Sequence, residues 1–225
     1  MSETHLVAGP ESHDHAHDPY LQHHFTEPEQ QLDASKIGMW LFLATEILLF
    51  GGLFVGYGLM QNKFPEAWVS AHHHLDWKMG AVNTIVLLVS SFTMVMGVHA
   101  ASQNQRKRLI VYLTITLLCA AMFMVVKFFE YEHKIHDGLL PGMFYSYQGP
   151  HVEQERTFFS FYFMMTGLHG IHVLGGMAAI GWLIKRARRG DFTSRYYTPV
   201  DLVGLYWHLV DLIWIYLFPL LYLIG

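Results

Sequence analysis

Residues 38–54 read GMWLFLATEILLFGGLF, a run apolar enough to lie in a bilayer but for one carboxylic acid, Glu46. Extended to about 37–60, the run spans a hydrocarbon core of about 30 Å at ~1.5 Å per helical residue. Four more runs of this kind follow, at about 79–99, 109–131, 158–184 and 201–224. Polar or turn-rich links separate them: NKFPEAW, SQNQRKR, HDGLLPGMFYSYQGPHVEQER and KRARRGDFTSRYYTP. Lipid leaves no water to satisfy backbone groups, so only helices or closed barrels cross it. Barrel strands alternate in polarity, whereas these runs are apolar throughout. The expectation is an all-α membrane protein, a bundle of five transmembrane helices.

Composition supports this. Of 225 residues, 52% are hydrophobic and 14% charged, well below the roughly one-quarter charged content of soluble domains. A net charge of -4 without a long basic block excludes a nucleic-acid partner. The single cysteine, Cys119, lies in an apolar run, which rules out a disulfide framework or a paired-thiolate metal site and makes it a packed small hydrophobe. Residues 1–35 are expected to form a disordered, His-rich tail carrying HDHAHD (His13 to Asp18), His23 and His24, with weak adventitious metal binding as its limit. The first 36 residues lack a short apolar region, so no secretory leader is expected. Residues 36–225 form the transmembrane domain.

An odd number of spans puts the termini on opposite sides. The side with the N-terminus holds nine loop cations (Lys36, Arg106, Lys107, Arg108, Lys185, Arg186, Arg188, Arg189 and Arg195), and the other holds four (Lys63, Lys78, Lys134 and Arg156). Positive loops stay in the cytoplasm, so the N-terminus is expected inside and the C-terminus on the periplasmic, outer side. Trp214, Tyr216 and Tyr222 of the last span suit an interfacial aromatic belt.

Polar groups then fall in one slab of the membrane. Glu46 lies about 14 Å deep, His208 and Asp211 of WHLVD about 10 to 15 Å from the same side, and His169 and His172 of LHGIH near mid-span. Residues at i, i+3 share a helical face. Such groups turn inward and find partners, since a charge at the bilayer centre costs at least about 2.5 kcal/mol. Four readings compete. His169 or His172 facing His208 would clamp a haem, making a membrane anchor that carries electrons. Against it, Asp211 offers His208 a structural hydrogen-bonded pair and no second histidine pair at matching depth appears. Glu46 as the ion-binding acid of a carrier fits poorly with five spans lacking an internal repeat. Glu130, Glu132, His133, His136 and Asp137 have donors for a divalent metal, but read more simply as a solvated cap where the third span ends. The favoured reading is a structural polar seam that also serves a neighbouring subunit. Glycines after Glu46 (Gly51, Gly52, Gly56, Gly58) and in the fourth span (Gly167, Gly170, Gly175, Gly176, Gly181) let backbones approach.

Five motifs, in order, carry a family resemblance: GMWLFLATEILLFGGLF (38–54), AVNTIVLLVSSFTM (81–94), FFEYEHKI (128–135), LHGIHVLGG (168–176) and GLYWHLVDLIWIYLFPLLYLIG (204–225). Together they resemble subunit III of the haem–copper oxygen reductases, the cytochrome c oxidase subunit III family, from about residue 36 onward. The resemblance implies a non-catalytic subunit without haem, copper or metal of its own, these lying in partner subunits. It implies packing against oxidase subunits I and II, bound phospholipid, support of proton uptake during O2 reduction to water in aerobic respiration, and possible docking into a larger respiratory supercomplex. Glu46 matches the family's carbodiimide-reactive, proton-uptake-supporting glutamate. His172, Arg186 and Arg189 match positions that hold lipid phosphates. The mitochondrial form has seven spans and this chain matches the last five, as in bacterial plasma-membrane oxidases whose missing pair can be fused to subunit I. Subunit III of a quinol oxidase, or the related accessory protein of nitric oxide reductases, shares the same pattern.

Overall fold

The computed structural model describes Phe25, residues 27–141, 144–146, 152–194 and 196–223. Six helices account for almost all of it: α1 (Pro28–Lys63), α2 (Pro65–His72), α3 (Trp77–Ser102), α4 (Arg106–His136), α5 (Val152–Arg189) and α6 (Thr198–Tyr222). No strand occurs among the described residues, only an isolated bridge between Thr193 and Tyr196. All but α2 are long and apolar enough to cross a membrane, so the five-span expectation holds.

Local chemistry sets the ends. Pro28 opens α1 with Glu29 in its first turn, so the helix begins well before the expected 37 and takes in part of the segment assigned to the tail. The histidines at 13, 15, 17, 23 and 24 lie outside the described residues. Pro65 follows Phe64, ends α1 and starts α2. Asp76 caps α3 by accepting from the Lys78 amide at 2.9 Å. Asn104, with φ of 58°, makes the tight turn between α3 and α4, a conformation asparagine tolerates better than most residues. The α5 terminus is held from outside: Arg106 Nε donates to the Ala187 carbonyl at 2.8 Å and Nη2 donates to that of Arg188. These orphan carbonyls of the last turn have no partner within the helix. Arg106→Ala is expected to speed amide exchange at Gly190 and Asp191, whose N–H groups donate into that turn. Hydrogen-exchange mass spectrometry of the peptide spanning 186–191 checks it.

Helices α3, α4, α5 and α6 form a ring in which each packs against two neighbours, with successive members antiparallel. Helix α1 leans across the α5–α6 seam from outside, and α2 tucks Ala67, Trp68 and Ala71 against α5. The core is aromatic: Phe123 stands 4.8 Å from Trp214 at 84°, and Trp68, Trp207, Tyr57, Tyr162 and Tyr222 are fully buried. Trp214 and Tyr222 are therefore core residues rather than belt anchors, because their side of α6 turns into the ring; only Tyr216 of the three faces outward. Large apolar side chains such as Leu48, Phe92, Leu118, Phe128 and Ile171 cover the outside of the helices, as lipid requires.

Candidate functional site

Helix α1 runs antiparallel to α5 and parallel to α6. Phe42 meets Tyr206 at one level and Phe54 meets Tyr216 at another, which brackets Glu46 between them. There Glu46 Oε2 lies 2.8 Å from His172 Nε2, and both side chains are only slightly accessible, 15% and 13%. The other ring nitrogen, His172 Nδ1, lies 2.8 Å from the Leu168 carbonyl. A carbonyl oxygen can only accept, so Nδ1 carries a hydrogen. The Glu46–His172 contact then holds one proton, either on the acid facing a neutral ring or on the imidazolium facing a carboxylate. Both forms have zero net charge, which lets the pair sit within the bilayer. Phe50 covers the imidazole edge at 5.4 Å, and Tyr206 OH donates to the His172 carbonyl at 2.9 Å, tying α6 to the same turn.

The structure thus joins Glu46 and His172, which the sequence had placed in separate roles. Both ring nitrogens of His172 are engaged by protein, so the assignment of this residue to a lipid phosphate is at odds with its geometry. Arg186 donates from Nε to Asp191 at 2.9 Å and lies over Trp182, Phe192 and Tyr196, while Arg189 is exposed at the same end of the bundle. The Arg106 contacts bring Lys107 and Arg108 to this end as well.

The expected His208–Asp211 pair does not form. His208 Nδ1 is 2.8 Å from Ser91 Oγ across the α3–α6 interface, and the Asp211 carboxyl faces Ser91 without reaching hydrogen-bonding geometry. The sequence placed both on one face of α6 correctly, but α3 supplies a hydroxyl there that takes the histidine. His169 is fully enclosed between Phe123 at 5.5 Å and Trp214 at 5.4 Å.

A second polar cluster was not anticipated. Glu130, read as part of a solvated cap, turns into the ring. Lys127 Nζ donates to Glu130 Oε2 at 2.9 Å, to Tyr222 OH at 2.8 Å and to Tyr162 OH at 3.4 Å. Tyr162 OH donates to Glu130 Oε1 at 2.8 Å, and Tyr222 OH donates to the same oxygen. Lys134 Nζ sits 4.0 Å from that oxygen and donates to the His74 carbonyl at 3.2 Å. All three charged groups are nearly inaccessible. The signal was available: positions 127, 130 and 134 share one helical face, and Lys127 falls inside the third apolar run. Glu132 and His136 stay exposed, and His133 pairs with Asp137 at 3.5 Å on the surface. Among the described residues, no group of three or more His, Cys, Asp or Glu is placed to hold a metal ion.

Comparison with known proteins bears on the family of the chain. A family profile described as cytochrome c oxidase subunit III matches residues 19–225. A probable cytochrome c oxidase subunit 3 of Nocardia farcinica is 32% identical over 189 residues, 84% of this chain and 87% of that protein. A quinol oxidase subunit 3 of Bacillus spizizenii is 32% identical over 190 residues, 84% and 86% of the two chains. A probable quinol oxidase subunit 3 of Staphylococcus aureus is 30% identical over 195 residues, 86% and 90%.

Proposed function

The chain belongs to the cytochrome c oxidase subunit III family, and from that premise we propose that it is the accessory, non-catalytic subunit III of a proton-pumping haem–copper terminal oxidase. It is a multi-pass protein of a bacterial plasma membrane, and other oxidase subunits are its partners. In this reading it stabilises subunit I, stands with subunit II, and leaves haem and copper to them while electrons pass to O2. Glu46 supports proton uptake. The observation that supports this role is the 2.8 Å contact between Glu46 and His172 on the outward-lying helix α1, where a neighbouring subunit or lipid can approach it. Phospholipid headgroups are assigned to the basic end of the bundle, with Arg186 and Arg189 as the phosphate partners and His172 given to Glu46 instead. The basic end is then the cytoplasmic one, in line with the cation count of the loops.

Glu46→Gln tests the role. Glutamine can donate from its amide to His172 Nε2, so the α1–α5 contact survives while the acidic proton is lost. Assembly and the initial rate of oxygen consumption are expected to stay within about twofold of the parent. Loss of the first turnovers in an oxygen-electrode assay would contradict an accessory role.

Two named relatives favour a second donor, since the Bacillus spizizenii and Staphylococcus aureus proteins are called quinol oxidase subunits. Assaying the purified complex with reduced cytochrome c and with a quinol separates the two. The haem-anchor reading has less support: His172 is engaged at both ring nitrogens and His169 is wedged between two aromatic rings.

A further inference from the structure

His208 stands at the inner wall of a cavity of about 380 Å³ between α3 and α6. His99, Ser102 and Asp201 also line it, so it opens toward the end of the bundle that carries Arg106 and Arg186. Behind His208, at 2.8 Å, is Ser91, and beyond Ser91 lies Asp211. Asp211 is 1% exposed, and neither carboxyl oxygen has a hydrogen-bond partner among the described residues. Two more fully buried side chains in the same ring share that condition, Asn83 on α3 and His169 on α5. Asn83 adjoins Thr84, whose hydroxyl accepts from Trp214 Nε1 at 3.1 Å, and His169 lies 5.4 Å from the same indole. Trp214 is one turn along α6 from Asp211. Three buried, unsatisfied polar side chains within one ring of helices are rare in a folded interior and mark places where ordered water completes the hydrogen bonding.

We propose that Asp211 is a second proton site in this chain, separate from the Glu46–His172 pair, and that it takes protons from water in the α3–α6 cavity through His208 and Ser91. The transfer balances as follows. A hydronium in the cavity gives its proton to His208 Nε2 and leaves as water. Nδ1–H passes its hydrogen to Ser91 Oγ, whose own hydrogen moves through an internal water, which gives up one of its hydrogens in turn, to an Asp211 carboxylate oxygen. The ring ends in its other tautomer, and the reverse transfer restores it. The remaining hydrogen bonds of Asp211, Asn83 and His169 are made to internal water. Titratable groups facing this region are His208 on α6, Cys119 on α4 and His169 on α5, with Lys127 and His172 beyond His169. Helix α3 contributes the neutral Asn83, Thr84 and Ser91 near Asp211 and the titratable His99 at the cavity, which Asp201 of α6 also lines.

The test uses the protein purified from its membrane with the partners it carries, in a Glu46→Gln background that removes the carboxyl signal of the Glu46–His172 pair. On transfer to D2O, the carbonyl stretch of a protonated carboxyl that Asp211→Asn abolishes is followed by infrared spectroscopy. It is expected to shift promptly in the parent and about tenfold more slowly in His208→Phe, a rate ratio of one decade. Ser91→Ala, a smaller change, is expected to slow it likewise and serves if His208→Phe does not accumulate. A spectrum in which Asp211→Asn removes no carboxyl band overturns the proposal. So does an exchange rate that neither substitution alters.

Discussion

Glu130→Ala is expected to lower the thermal unfolding midpoint of the protein sharply, reflecting a loss of about 3–5 kcal/mol. Burying two lysines, a carboxylate and two phenols among α4, α5 and α6 is tolerable only because each finds its counterpart. Removing the carboxylate strands Lys127 and Lys134, which are 7% and 2% exposed, and leaves Tyr162 and Tyr222 without their acceptor. Lys127→Met is expected to do less harm, about 1–3 kcal/mol, because Glu130 keeps both tyrosine donors and Lys134 at 4.0 Å. The double substitution Lys127→Met with Glu130→Leu replaces the pair by apolar groups of similar reach, and should recover part of the loss seen in Glu130→Ala. Tryptophan fluorescence reports the transition directly, since Lys127 Nζ lies 4.8 Å from the Trp214 ring. Equal losses in the two single variants would show that the carboxylate is not the keystone of the cluster.

The contrast between this cluster and the Glu46 pair explains what the sequence made legible. Apolar run length depends only on local composition, so the five spans emerged directly, and Glu46 stood out because it interrupts one of them. Its partner did not, because His172 lies 126 residues away and its proximity is set by how α1 leans on the ring. Lys127 was hidden by the opposite circumstance: a single cation in a strongly apolar stretch leaves the run intact. The start of α1 at Pro28 and the short helix α2 escaped a hydropathy reading because neither needs to be apolar. Pro28 and Pro65 pre-set the first turn of each helix, and α2 needs only Ala67, Trp68 and Ala71 to face α5. The identity of the aromatic residues in α6 was equally ambiguous, as a tryptophan suits both a membrane interface and a core whose hydrogen bond it can complete. Trp207 does the latter, donating to Ser90 at 2.9 Å.

Among the glycines, the sequence could not say which ones bring helices together, and there the structure yields the other large expected effect. Gly176→Ala should destabilise the protein by about 1–3 kcal/mol, or more where the backbone must shift. A Cβ at Gly176 would stand 2.5 and 2.6 Å from two carbons of the Trp207 ring. The indole is fully buried and held by Ser90, so it cannot back away without giving up that bond. Gly51, Gly52 and Gly58 form the control, since a Cβ at any of them meets nothing within 4 Å. Alanine there is expected to be neutral or stabilising by up to about 1 kcal/mol, as helix propensity alone dictates. Thermal unfolding of the four alanine variants decides the matter, and a similar loss at Gly51 and Gly176 would contradict the assigned packing. The effect should also reach the proton-sharing pair. Gly176 is one turn from His172, whose carbonyl accepts from Tyr206 beside Trp207. Pushing α6 away from α5 strains that bond, so Gly176→Ala, unlike Gly51→Ala, is expected to change the infrared signature of the Glu46 carboxyl.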